Sequence, residues 1–122
     1  MAKNKSPEHD LQVRLVDYIR EVDPTIFFTA TVGGVRLSIN QAKRMKAAGY
    51  LRGIPDLLIF EPSGEFNGLA IELKAAKGRP SVYQLDALKA LRLRGWRGEV
   101  AVGWDATIEI LKEYFPDREF KA

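Results

Sequence analysis

The chain has 122 residues, 46% hydrophobic and 29% charged, a length and balance typical of one globular domain. It contains no cysteine, which excludes disulfides, thiolate metal sites and cysteine nucleophiles. The formal net charge of +3 leaves a polyanionic partner open. No apolar run is long enough to cross a membrane or to form a secretion signal, so we expect a cytoplasmic protein.

The first half of the chain predicts a helix, a strand and a second helix. Ser6-Pro7 is typical of a helix start, and apolar residues follow at helical spacing over 7–22. The β-rich residues 25–31 predict a strand. Ser38 is expected to cap a second helix that ends at Gly49.

The second half predicts a β-hairpin, then a helix, a strand and a helix. The apolar runs 56–60 and 69–74 flank a segment rich in turn residues. Ser81 is expected to open the third helix, 99–104 to form a strand, and Asp105 to cap the last helix. The third helix is expected to carry an apolar stripe formed by Val82, Leu85, Leu88 and Leu91.

The predicted element order is α-β-α-β-β-α-β-α, which indicates an α/β fold with a mixed β-sheet flanked by helices. No repeat or low-complexity segment divides the chain. We expect one domain over 6–116, with flexible tails at 1–5 and 117–122.

The hairpin carries a group of charged residues that suggests metal chemistry. Side chains alternate along a strand, so Glu72 and Lys74 point to one face. The hairpin brings Asp56, at the start of the preceding strand, beside Glu72. Two converging carboxylates repel each other, and Mg²⁺ or Mn²⁺ would neutralise them while Lys74 orients a water or binds a phosphate. The alternative is a plain ion pair of one acid with Lys74 at the hairpin end.

Two further polar residues extend this hypothesis. Glu8 lies on the same helical face as Leu15 and Ile19, where a carboxylate needs a partner. It could be a third acid of the metal site, or it could simply favour the helix dipole. Gln84 follows the Lys74 strand and could hold a water or a phosphate, although a surface glutamine is the alternative.

Basic residues are grouped in several stretches of the chain. Each group could be solvated surface charge, or it could bind the phosphates of DNA. The candidate DNA-binding residues are Arg36, Lys43, Arg44, Lys77 and Arg79.

Pro55-Asp56 followed by Glu72-Leu73-Lys74 matches the PD-(D/E)XK motif letter by letter. Over roughly residues 7–104, the chain resembles the VRR-NUC (virus-type replication-repair nuclease) family of the PD-(D/E)XK nuclease superfamily. Other parts of the resemblance are Glu8, Gly33-Gly34 with Arg36, Gly53 to Leu58, and Ser81 to Gln84.

The resemblance implies a restriction-endonuclease-like core that cleaves phosphodiester bonds of DNA with Mg²⁺ or Mn²⁺. It implies metal ligation by Asp56, Glu72 and the Leu73 carbonyl with help from Glu8, and catalytic roles for Lys74 and Gln84 as well as the two acids.

Short members of the family resemble phage or bacterial proteins that form homodimers and act on branched DNA such as four-way junctions. The cell would then be bacterial or phage-infected. Segment 32–54 joins apolar residues, among them Tyr50 and Leu51, to the densest basic cluster, which makes it a candidate for the dimer interface or the DNA-facing rim. The alternative is that these apolar residues pack a helix onto the sheet. Two alternatives stay open: a non-catalytic DNA-binding module with the same fold, and a restriction-type nuclease that reads sequence.

Overall fold

A computed structural model describes residues 7–31 and 36–121. The described helices are α1 (Pro7–Val22), α2 (Ile39–Ala47), α3 (Val82–Arg92) and α4 (Gly103–Tyr114). The described strands are β1 (Phe28–Ala30), β2 (Leu57–Ile59), β3 (Leu69–Lys74) and β4 (Arg97–Val102). Their order confirms the predicted α/β succession. The expected cap at Ser6 and turn at Gly33-Gly34 lie outside the described residues.

The four described strands form one mixed sheet in the order β1-β2-β3-β4. The first three strands are antiparallel, whereas β3 and β4 are parallel and are connected through α3. Every residue of β3 is buried, because β3 has strands on both edges and helices on both faces. Strands β1 and β2 are shorter than the predicted ranges 25–31 and 56–60.

Helices cover the sheet on both faces. Leu69, Ile71 and Leu73 alternate onto one face of β3, where they join a buried cluster with residues of α1 and α4 that include Leu15 and Ile108. On the other face, α3 brings Leu88 over Gly98, which is the partner of Ala70 in the sheet. The arrangement is a three-layer sandwich. Within the described ranges, no helix is long and apolar enough to span a membrane.

The predicted apolar stripe of α3 is wrong at its first turn. Val82 is 70% exposed and Leu85 is 46% exposed, whereas Leu88 is fully buried beside Ala87. The face turned to the sheet runs through Gln84, Ala87 and Leu88, which share a side of the helix. Gln84 is the first residue of α3 that faces the sheet. Because it is polar, the spacing of apolar residues predicted the wrong buried face for this turn.

The start of α4 also differs from the prediction. The helix begins at Gly103, its N-cap is Val102, and no side chain caps it. Asp105 is therefore not the cap but lies in the first turn, where a carboxylate favours the positive end of the helix dipole. The preceding strand runs over Arg97–Val102 rather than 99–104.

Residues 118–121 pack against the domain rather than forming part of the expected flexible tail at 117–122. Phe120 is 3% exposed in the core, and Arg118 Nε lies 2.8 Å from Asp23 Oδ2. The Tyr18 hydroxyl donates to the Lys121 carbonyl oxygen and accepts from the Lys121 backbone N–H. The packed domain thus continues beyond residue 116.

Candidate active site

The register of the β2–β3 hairpin places Asp56 beside Glu72. Leu57 pairs with Ile71, so one step further along the same register Asp56 stands opposite Glu72. The backbone N–H of Leu73 donates to Asp56 Oδ2 at 2.7 Å, which fixes this carboxylate against β3. Asp56 is 8% exposed and Glu72 is 2% exposed. The two acids therefore lie side by side, as predicted, and both are buried.

Lys74 is the cation closest to the pair. Its Nζ lies 3.5 Å from Glu72 Oε2 and 4.0 Å from Glu8 Oε1, and its side chain is 11% exposed. Glu8 thus reaches the same cluster from the first turn of α1. The turn after β3 leaves room for it, because the Cβ of a larger residue at Gly78 would lie 3.2 Å from Glu8 Oε2.

A helix cap positions Gln84 in the cluster. The backbone N–H of Ser81 donates to Gln84 Oε1 at 2.7 Å, and the Gln84 backbone N–H donates to Ser81 Oγ at 3.2 Å. This capping box fixes which end of the amide faces the site. Gln84 Nε2 then donates to Glu72 Oε2 at 2.7 Å. The surface-glutamine alternative is excluded by this contact.

Burial raises the pKa of both acids. For Glu72, burial and then the neighbouring Asp56 charge raise the pKa to about 8, against the opposing effect of Lys74. For Asp56, burial raises the pKa. Hydrogen bonds from the Leu73 N–H and from the Glu72 side chain, and the positive charge of Lys74, lower it by less. Near neutral pH and without a cation, the pair therefore retains a proton.

The donor set fits a hard divalent cation. When both acids are ionised, the buried Glu72 Oε1 has no hydrogen-bond donor among the described residues, which is costly unless a proton or a cation binds it. Carboxylate oxygens suit Mg²⁺ or Mn²⁺, and Mg²⁺ commonly uses one or two carboxylates and keeps several waters. Among the described residues, no group of three or more acidic, histidine or cysteine side chains is placed so that all of them could hold one metal ion. Asp56 and Glu72 are thus the central donors, with Glu8 at the rim beside Lys74.

Tyr50 is a neighbour of the site that sequence reasoning did not assign to it. Its side chain is half-buried, and burial and then the charges of Asp56 and Glu72 raise the pKa of its phenol. The sequence suggested only an apolar residue of segment 32–54. No spacing rule indicates this placement, because the segment between α2 and β2 is irregular.

The expected DNA-binding residues are all exposed: Arg36, Lys43, Arg44, Lys77 and Arg79. Lys77 and Arg79 lie in the connection that follows Lys74, so they flank the acid cluster. Lys43 and Arg44 lie on α2, which has no buried residue and against which no other described helix or strand packs. Apart from the half-buried Met45, the residues of this basic helix are exposed and available to a partner.

A solved structure described as a VRR_NUC domain protein has the same fold. The two structures superpose with a TM-score of 0.76 over 93% of this chain and 91% of that chain, at 21% sequence identity. No family model and no curated protein matches the sequence. The likeness confirms, for the fold alone, the similarity to VRR-NUC proteins that the motif predicted.

Proposed function

We propose that this chain, which shares the fold of a VRR_NUC domain protein, is a metal-dependent nuclease that hydrolyses phosphodiester bonds of DNA. The observation that carries the proposal is the buried pair of Asp56 and Glu72 beside Lys74. One oxygen of Glu72 has no hydrogen-bond partner in the described structure. Such a pair is unfavourable in a protein that only binds a polyanion, because the acids repel phosphate. This reasoning disfavours the non-catalytic DNA-binding alternative.

Each side chain has a role in this proposal. Asp56 and Glu72 would hold Mg²⁺ or Mn²⁺ together with the Leu73 carbonyl, and Glu8 would help from the rim. The bound cation would supply a Lewis acid that lowers the pKa of water and offsets charge growing on the phosphate.

Lys74 and Gln84 would act on the substrate side of the cluster. The Lys74 ammonium, held near Glu72, would contact the scissile phosphate or orient the attacking water. Gln84 uses one N–H for Glu72, and its second can donate to that water or to a phosphate oxygen.

The cleavage assay is the direct test. Linear duplex, flap and four-way junction DNA are incubated with the protein, with and without Mg²⁺ or Mn²⁺. Asp56→Asn and Glu72→Gln should abolish cleavage, and Lys74→Ala should inactivate but still bind metal. Glu109→Gln, an exposed acid on α4, is the matched control and should cleave as wild type does. Wild-type rates in either carboxamide variant would show that the site is misassigned.

The proposal extends to branched DNA and a homodimer. This extension rests on the VRR-NUC resemblance and on symmetry. Two matched cuts in a four-way junction need two active centres, and a dimer with two-fold symmetry places them with the same symmetry as the junction. The exposed basic helix α2 and Arg36, within segment 32–54, are the proposed rim or interface. Sedimentation equilibrium at micromolar concentration tests the dimer, and a monomer that still makes paired cuts would contradict it. Cutting at one sequence in otherwise equivalent substrates would instead support a restriction-type enzyme.

A further inference from the structure

An exposed arginine–tyrosine stack borders the candidate active site. Arg52 Cζ lies 3.7 Å from the centroid of the Tyr83 ring, and Tyr83 is 48% exposed. Tyr83 directly precedes Gln84 on α3, and Arg52 lies four residues before Asp56 in the segment that leads into β2. Each half of the stack therefore lies close along the chain to a residue of the candidate site.

Backbone contact holds the two halves together. Gly53 has a φ of +87°, and a Cβ at this position would lie 2.4 Å from the carbonyl carbon and oxygen of Tyr83. Only glycine permits so close an approach. The chain beside Arg52 is therefore pressed onto the first turn of α3, and the stack has a fixed position relative to Gln84.

The chemistry of this surface suits a nucleobase next to a phosphate. Arg52 forms no ion pair with a carboxylate in the described ranges, so its charge is available. Leu51 is 56% exposed and Val82 is 70% exposed, so apolar surface adjoins the planar groups. Bases stack on tyrosine rings and on guanidinium planes, while the guanidinium also attracts phosphate.

We propose that Arg52 and Tyr83 form a stacking platform for an unpaired nucleotide beside the scissile phosphate, an assignment that rests on the proposed nuclease function. Bases inside a duplex are already stacked on each other and cannot use the platform. The platform therefore selects DNA in which a strand end, flap or branch point leaves a base free. This would give the domain itself a means of recognising DNA structure.

The binding test uses a Glu72→Gln background, so that DNA is bound but not cut. The probes are a blunt duplex and the same duplex with a short single-stranded overhang that carries 2-aminopurine. Tyr83→Ala should weaken overhang binding by about fivefold or more and abolish the quenching of 2-aminopurine, while blunt-duplex affinity changes by less than about twofold. Tyr83→Phe should retain the overhang preference.

Arg52 provides the second pair of variants. Arg52→Ala should weaken binding of both probes, because charge and stacking are lost, whereas Arg52→Lys should restore blunt-duplex affinity but not the overhang preference. Leu93→Ala, 77% exposed just beyond the other end of α3, is the control for loss of an exposed apolar residue. Thermal melting verifies that each variant is folded, and Tyr83→Leu replaces Tyr83→Ala should the latter unfold.

Three outcomes would overturn the platform. Equal losses on both probes in Tyr83→Ala would reduce the pair to phosphate contacts, and no loss on either probe in Tyr83→Ala and Arg52→Ala would remove the pair from the DNA surface. A dimer that dissociates in Tyr83→Ala would make the patch a subunit interface instead. Failure of the nuclease proposal can be distinguished from failure of the platform. In the first case, the wild-type protein would cleave no substrate in the presence of metal, whether or not the 2-aminopurine fluorescence is quenched.

Discussion

Gln84 donates its side-chain amide to the buried carboxylate of Glu72 at 2.7 Å, across the gap between α3 and the central strand. The same amide closes the capping box of α3 through Ser81. One side chain thus both begins the helix and positions a candidate metal ligand. A second capping box with the same residue types, Ser38 with Gln41, begins α2 and has no part in the acid cluster.

The two capping boxes separate the two roles of Gln84. Gln84→Glu can still close the box but places a carboxylate against Glu72, so we expect the helix to remain and cleavage to fall steeply. Gln84→Ala should lose activity and about 1 kcal/mol of stability. Gln41→Ala removes the matched cap on α2, the proposed DNA-facing rim, so it should weaken DNA binding but leave the cleavage rate at saturating DNA unchanged. Cleavage rates and thermal melting of the three variants test this, and normal cleavage by Gln84→Glu would contradict it.

The raised pKa of Glu72 predicts a pH dependence of stability in EDTA. A carboxyl whose pKa rises on folding binds more protons in the folded state, so stability falls as pH rises from about 4.3 towards about 8. Glu72→Gln removes this titration and should flatten the dependence over that window. Chemical denaturation at a series of pH values measures it. Parallel curves for wild type and variant would show that Glu72 ionises as freely in the folded chain as in the unfolded one.

Divalent metal should stabilise the folded protein through Asp56. At a metal concentration of 100 times the Kd, the expected gain is about 2.7 kcal/mol. Asp56→Asn retains an oxygen that can accept from the Leu73 N–H, so it should fold, lose much of the gain and melt higher than wild type in EDTA. Asp56→Ala should be destabilised by about 1–3 kcal/mol, because that buried N–H loses its acceptor. Equal metal-induced shifts in wild type and Asp56→Asn would place the metal elsewhere.

Lys77 should contribute to DNA affinity without contributing to the fold. It has a φ of 70° in the turn closed by the Gly78 N–H and the Ala75 carbonyl. Asparagine tolerates this left-handed conformation and carries no charge, so Lys77→Asn should fold normally. In this variant, the slope of the logarithm of the DNA-binding constant against the logarithm of the salt concentration should become less steep by about one. Lys112→Asn on α4 is the control, and an unchanged slope in Lys77→Asn would exclude a phosphate contact at Lys77.

Phe120 should be essential to the core despite its position near the end of the sequence. The ring is 3% exposed and contacts Tyr18 and Phe115. Phe120→Ala should lower the free energy of unfolding by about 3–5 kcal/mol. Phe27→Ala, at a ring 69% exposed, should cost far less. Denaturant titration compares them, and similar small losses in both would mean that the segment after α4 does not pack in solution.

The sequence by itself determined the features that depend on neighbouring residues. Serines with a glutamine three positions later mark the starts of α2 and α3. Alternation along 69–74 and the turn residues before it specify the hairpin register, because a shift of one residue would bury the wrong face. That register alone brings Asp56, Glu72 and Lys74 together, so the centre of the candidate site could be predicted.

Only the tertiary structure decided the features that join distant segments. The Arg52–Tyr83 stack, the half-buried Tyr50, the docking of Phe120 and the exposure of Val82 all depend on how the loop before β2, the first turn of α3 and the chain end meet. Hydrophobic spacing reports that a helix has a buried side but not where the sheet beneath it ends or which polar group occupies an inward position. Those contacts are fixed by the packing of whole layers, which no local pattern contains.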